Sequence, residues 1–262
     1  MRVAAIQHDI VWEDRDATLA RLDPQVAQAA ATGARLVAVT EMFATGFSMR
    51  THHTAETLDG PTVTWMHERA AEHDIWLAGS VPLLADDPST GGAAGLASNS
   101  LLVIGPDGTR HRYDKVHPFS YAGEHERFRP GTGSVVIDLE GVRIGLSVCY
   151  DLRFADLYWE REDEVDLELI VANWPDARRH HWRTLLDARA IEGQLYVMGV
   201  NRVGSGGKLD YAGDSRIVDP MGEVLASGAG GETVLVADID PATVTTTRER
   251  FPFRADRSFS PH

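Results

Sequence analysis

Val142-Arg143-Ile144-Gly145-Leu146-Ser147-Val148-Cys149-Tyr150-Asp151-Leu152-Arg153-Phe154 is the stretch from which the fold and chemistry of this chain are read. Residues 142–148 alternate and are rich in β-formers, which predicts a strand with Cys149 at its C-terminal end. In open α/β sheets, ligands bind outside the carboxyl ends of strands. Cys149 is also the one cysteine among 262 residues. Free cysteine usually packs as a small hydrophobe. It becomes a candidate nucleophile only if partners reach it from elsewhere.

Outward from this strand, the chain alternates strands with helices. On the N-terminal side, strands are predicted at 2–7, 36–39 and 75–81. Helices are predicted at 16–32, with Leu19, Leu22, Val26 and Ala30 on one face, and at 61–74, opened by Gly60-Pro61. Pro24 inside the first helix argues against its continuity. Residues 85–97 are rich in Gly, Ala and Asp and read as a loop. Two hairpins follow, 98–104 with 109–113 across Pro106-Asp107-Gly108, and 134–139 with 142–148 across Glu140-Gly141. Beyond Cys149 come strands at 167–172, 195–200, 215–218 and 233–239. A helix at 180–192 carries Trp182, Leu185, Leu186 and Ala190 on one face. Two βα units, hairpins and two more βα-like units predict one mixed-sheet domain, 1–262, with helices outside. Its two similar halves are able to stack sheet on sheet. The tail 248–262 has no readable pattern.

Composition bounds the partners. A formal net charge of −14 repels phosphate backbones and argues against nucleic acid. A single cysteine excludes an internal disulfide and points to a reducing compartment. Met1–Asp9 meets an acid too early for a signal peptide, and no apolar run approaches a membrane span. The expectation is a cytoplasmic protein without membrane contact. Gly131-Thr132-Gly133 lacks the third glycine of a dinucleotide fingerprint, and Gly145–Cys149 lacks the final glycine of a nucleophile elbow. The paired histidines 52–53 and 180–181 and the 67–73 spacing do not make a metal clamp. Neither metal nor cofactor is expected.

Three stretches carry chemistry. Glu41, in Thr40-Glu41-Met42-Phe43, ends an apolar strand, and a desolvated carboxylate is suited to proton transfer near neutral pH. A loop-bracing glutamate is the competing reading. Lys115, in Tyr113-Asp114-Lys115-Val116-His117, follows the first hairpin and is able to hold an oxyanion. A solvated surface lysine competes. The third stretch is that of Cys149, whose thiolate needs a base or a cation. Residue spacing alone does not show that the three meet.

In this order the three stretches resemble the Glu-Lys-Cys signature of the nitrilase superfamily of carbon–nitrogen hydrolases. Further segments carry the resemblance from 3–7 to 236–239: Gly123-Glu124, Pro130-Gly131, Ala172-Asn173-Trp174-Pro175, Ala188–Glu192, Asn201–Gly204 and Gly213-Asp214-Ser215. Tyr150-Asp151 after the cysteine is similar to the amidase branches, the YafV-like ω-amidases above all. True nitrilases usually carry Trp-Glu there. Pro118, where relatives often have Leu, is a departure that would reshape the pocket wall.

The resemblance implies a four-layer α-β-β-α sandwich with mixed sheets, commonly a homodimer or higher homo-oligomer. It implies Glu41 as general base, Cys149 as nucleophile, Lys115 and the backbone N–H of Tyr150 as oxyanion donors, and Glu124 as a second catalytic glutamate that orients Lys115 and assists with water. Asn173, Trp174, Phe47 and Tyr121 would line the substrate pocket. Arg153 would either bind a substrate carboxylate or pair with an acid of the chain, and the second is preferred. The implied reaction is hydrolysis of a short ω-monoamide, of the 2-oxoglutaramate or succinamate type, through a thioester. An amidase or nitrilase for other small aliphatic substrates is the alternative, and a non-catalytic binding protein on the same fold is the alternative of a different class.

Overall fold

The computed structural model describes residues 1–84 and 96–256, so the loop expected at 85–97 falls largely outside the described residues. The first half begins with β1 (Arg2–Gln7), α1 (Arg15–Ala31), β2 (Leu36–Ala38), α2 (Thr51–Thr54), α3 (Pro61–His73) and β3 (Trp76–Leu83). It continues with β4 (Ser98–Ile104) and β5 (Arg110–Asp114). The second half has β6 (Val136–Leu139), β7 (Val142–Val148), α4 (Ala155–Trp159), β8 (Leu167–Ala172), α5 (Arg179–Gly193) and β9 (Tyr196–Asn201). It closes with β10 (Val203–Gly206), β11 (Leu209–Val218), β12 (Val224–Ala229), β13 (Thr233–Asp238) and α6 (Pro241–Arg250).

These strands make two mixed sheets, in the orders β13-β1-β2-β3-β4-β5 and β10-β11-β9-β8-β7-β6, with β12 beside β11. Each has a parallel centre: β1, β2 and β3 in one, and β7, β8 and β9 in the other. Antiparallel strands flank both centres. Three apolar clusters define the layers. One joins Val3, Ala38, Leu101 and Tyr113 of the first sheet to Leu146, Val171, Met198 and Ile217 of the second, so the sheets pack face to face. A second packs α1 and α3 on the outer face of the first sheet, and a third packs α4 and α5 on the outer face of the second. Central strands buried on both faces read as apolar runs, which is why Leu36–Val39 was legible, and Leu167–Ala172 too, where the one interruption, Glu168, is buried against Arg161. The fold is the four-layer α-β-β-α sandwich.

Helix α1 starts at the Asp14 cap, which accepts from Ala17 N, and it runs through Pro24. Both Pro24 and Ala20, the residue whose carbonyl it orphans, are exposed, so that carbonyl need not be buried unpaired. Five elements had not been expected: the one-turn helices α2 and α4, the strands β10 and β12, and α6. β10 and β12 are short, with small residues and little burial. α6 is rich in Thr, which favours strands, although Asp240 caps it and Pro241 stands in its first turn. Part of the unreadable tail is therefore the last turn of this helix.

Candidate active site

The two sheets bring Glu41, Lys115, Glu124 and Cys149 together. Glu41 lies just beyond β2 and is fully buried. Its Oε1 accepts from Lys115 Nζ at 3.0 Å and from Asn99 Nδ2 at 2.8 Å, and its Oε2 accepts from the Asn173 backbone N–H at 2.8 Å. Its own carbonyl accepts from the Asn173 side-chain amide. The expected desolvation is thus real, and protein donors replace the lost water.

Lys115 follows β5. Its N–H donates to the Asn99 carbonyl at 2.9 Å, and its carbonyl accepts from Gly131 N at 2.8 Å. Glycine is required at 131, because a Cβ there would sit 2.0 Å from the Asp114 carbonyl oxygen. Lys115 Nζ donates to Glu124 at 2.9 and 3.1 Å as well as to Glu41. Burial would push the ammonium down, but the Glu124 and Glu41 carboxylates outweigh it and hold the lysine above its ordinary value. Glu124, fully buried after the left-handed turn at Gly123, also accepts from Phe119 N. Burial raises its pKa, against the pull of Lys115.

Asn99, on β4, is a residue that sequence reading missed. Ser80 Oγ accepts from Met42 N and donates to Asn99 Oδ1, both at 2.8 Å. That fixes the amide orientation, so Nδ2 faces both Glu41 and Glu124, at 2.8 and 3.1 Å. The available signal was a polar Ser98-Asn99-Ser100 start to a strand that goes on Leu-Leu-Val-Ile: a buried amide there must find partners.

Cys149 begins a short 3-10 turn (Cys149–Arg153) after β7 and has φ +48°, a left-handed conformation costly for a residue with a Cβ. An elbow exists here without its usual glycine. Asp151, fully buried, holds it. Oδ2 accepts from Val148 N at 3.0 Å and Tyr113 OH at 2.8 Å, while Oδ1 accepts from His117 N and Nδ1, each at 2.9 Å. The segments bearing the lysine and the cysteine are thereby tied to one carboxylate. Burial pushes the Cys149 thiol well up, the Glu41 carboxylate adds to the shift, and Lys115 opposes it. The resting group is the thiol, which needs a base to react.

Cys149 and Glu41 open onto a cavity of about 480 Å³, counted out to its solvent-facing mouth. Its other lining residues are Phe47, Phe119, Ala122, Tyr150, Arg153, Asn173, Trp174, Pro175, Arg178, Leu209 and Tyr211. Phe47 stands 5.2 Å from Lys115 Nζ. Trp174 serves wall and core together: it packs on Trp182 at 5.6 Å, and its backbone N–H donates to Asn201 Oδ1 at 2.7 Å.

Some expectations are corrected. Tyr121 is 88% exposed and stands outside the wall, where its neighbours Phe119 and Ala122 are found. The backbone turns over through 120–122, and Tyr121 points outward. Pro118 is likewise not in the wall. Arg153 has no acid partner among the described residues; it stacks on Trp174 at 4.7 Å, and its Nη2 meets His181 Nδ1 at 3.2 Å. Phe119, Arg178, Leu209 and Tyr211 had not been anticipated. Arg178 follows Asn173-Trp174-Pro175 closely, whereas Leu209 and Tyr211 come from an unpredicted extension of β11 and gave no signal.

The carbon-nitrogen hydrolase family model matches residues 2–249. The chain is 39% identical over 255 residues to omega-amidase YafV of Escherichia coli (strain K12), covering 96% of this chain and 94% of that protein. It is 31% identical over 225 residues to a 2-oxoglutaramate amidase of Bacillus subtilis (strain 168), covering 84% and 83%. A crystal structure of a CN-hydrolase superfamily protein from Xanthomonas campestris, with an arsenic adduct in its active site, superposes with a TM-score of 0.91 at 36% identity, covering 99% of this chain and 98% of that one. A buried Glu-Lys-Cys centre between two stacked sheets and a match along nearly the whole length agree, and the chain belongs to the carbon–nitrogen hydrolase family of the nitrilase superfamily, in its YafV-like branch.

Proposed function

We propose that this protein is a cysteine-dependent ω-amidase, releasing ammonia from a short ω-monoamide of the 2-oxoglutaramate or succinamate type. The observation that carries the chemistry is the buried carboxylate of Glu41 beside a protonated Cys149 thiol, both bordering one cavity. The substrate class rests on the omega-amidase and 2-oxoglutaramate amidase relatives.

Glu41 takes the Cys149 proton as sulfur attacks the amide carbonyl carbon. The oxygen that gains charge is held by Lys115 Nζ and the Tyr150 backbone N–H. Lys115 has three N–H donors; one serves Glu41, a second is shared between the two Glu124 oxygens, and the third is left for the oxyanion. Protonated Glu41 returns its proton to nitrogen as the C–N bond breaks and ammonia leaves. A water, deprotonated by Glu41, then attacks the thioester. The C–S bond breaks, the acid leaves, and Glu41 reprotonates the thiolate. Glu124 is a positioning residue for Lys115. No metal or cofactor is needed in these steps. A homodimeric or larger cytoplasmic assembly completes the proposal, and light scattering on the purified protein tests its size.

The test is ammonia release from a panel of 2-oxoglutaramate, succinamate, butyramide and butyronitrile, with intact-mass detection of an acyl adduct on Cys149. Preference for the ω-monoamides, with an adduct of the matching acyl mass, is expected. Faster turnover of simple amides or nitriles sinks the ω-amidase assignment, and no adduct on a turning-over enzyme sinks the thioester.

A further inference from the structure

We propose that Arg178, supported by Arg153, is the carboxylate-recognising site of the cavity and decides preference for an amide carrying a distal negative charge. The inference rests on the ω-amidase reading and adds the residues that would select that substrate.

The cavity wall is mostly apolar and has a single acid, Glu41, which is already committed to Lys115, Asn99 and Asn173. Facing the same space are two guanidiniums, and neither has a carboxylate partner among the described residues. That is unusual in a chain of net charge −14, where many other arginines, Arg143, Arg179 and Arg216 among them, pair with an acid. An unpaired guanidinium on an apolar wall is a receptor for a planar anion, which it binds with two parallel N–H donors.

Between the two, Arg178 is the freer donor. Arg153 already stacks on Trp174 and meets His181. The Arg178 guanidinium rests on the Phe119 ring at 5.5 Å and has no hydrogen-bond acceptor among the described residues. Its backbone is pinned on both sides: N–H donates to the Pro175 carbonyl at 3.0 Å, and its carbonyl accepts from Trp174 Nε1 at 2.9 Å. A fixed backbone and an aromatic support lower the entropy lost when the guanidinium takes up its ligand. The class of ligand follows: an acyclic amide whose far end is a carboxylate, with an apolar chain between.

The experiment compares kcat/KM for succinamate with kcat/KM for butyramide, its neutral counterpart, in the wild type, Arg178→Gln, Arg178→Lys and Arg153→Gln. A charge-assisted bidentate contact predicts that the succinamate-to-butyramide ratio falls by about 10- to 100-fold in Arg178→Gln. Arg178→Lys should recover part of it, because charge remains and the fork is lost. Succinate should also inhibit the wild type competitively and Arg178→Gln far more weakly. If both substrates slow in step in Arg178→Gln, the residue is structural and the proposal is overturned. If only Arg153→Gln collapses the ratio, the selecting residue is Arg153 and the proposal is likewise overturned. A wild type with no preference for succinamate instead removes the ω-amidase reading on which the inference stands. Circular dichroism on each variant separates misfolding from selectivity, and Arg178→Lys carries the test if Arg178→Gln does not fold.

Discussion

Asp151→Asn is the most demanding test of how the cysteine is held. The carboxylate accepts four donors with its two oxygens: Val148 N, Tyr113 OH, His117 N and His117 Nδ1. An asparagine has one oxygen and, in place of the other, an NH₂ that faces donors. Should the oxygen stay toward Val148 and Tyr113, the imidazole is able to switch tautomer and accept, but the His117 backbone N–H is orphaned. Flipped the other way, the tyrosine hydroxyl rotates to accept, and the Val148 N–H is orphaned. In either case one backbone donor is left unmet, at about 1–3 kcal/mol, and the surviving bonds lose their charge assistance. Relief from burying a carboxylate offsets part of this. The expected loss is therefore about 2–4 kcal/mol, read from urea denaturation of wild type and variant. Because the same carboxylate holds the turn that presents Cys149, kcat/KM should drop by about 100-fold, the scale of a small misplacement of reacting groups. A variant within 1 kcal/mol of wild type in stability and within threefold in activity would refute the argument that Asp151 sets the elbow.

Three further outcomes are expected. Cys149→Ala and Cys149→Gly should both abolish turnover and remain folded, but the glycine variant should be the more stable by about 0.5–1 kcal/mol, because φ +48° costs a Cβ residue more than glycine's chain entropy does; chemical denaturation ranks the two. Asn99→Ala removes the donor shared by two buried glutamates and should lower kcat by about 10- to 100-fold with a smaller change in KM, measured by steady-state kinetics. Burial of His8 pushes its pKa down to about 4, so the neutral ring contributes stability above about pH 6.5 that is lost as pH falls toward 4; about 2 kcal/mol should be gone by pH 5, and His8→Asn should flatten that slope in urea melts.

The fold was legible where burial is two-sided or alternation is strict, as in Leu36–Val39, Val142–Val148 and Leu167–Ala172. It was illegible where tertiary packing overrides local preference: the threonines of α6 stay helical because Val244 and Thr247 dock on the body, and β12 exists because β11 offers it a ladder. At the site, Glu41, Lys115 and Cys149 were visible as strand-end residues. Asn99 and Asp151 were not, since their importance lies in whom they bond across the chain. Tyr121 was misplaced because an aromatic in a loop says nothing about its direction.

The pairing of the sheets has a consequence for when this enzyme can act. The base and the cation belong to the first sheet and the nucleophile to the second, and β13 completes the first sheet only by returning from the far end of the chain to lie along β1, from Arg2↔Asp238 to Gln7↔Thr233. A chain under synthesis therefore carries Glu41 and Lys115 long before it owns a thiol, and owns the thiol before its first sheet has an outer neighbour. Each half is chemically inert until the two close on one another. Hydrolysis is a property of the finished sandwich, and turnover by co-expressed halves, cut at Gly133-Ser134 between β5 and β6, would count the molecules in which the halves have found each other.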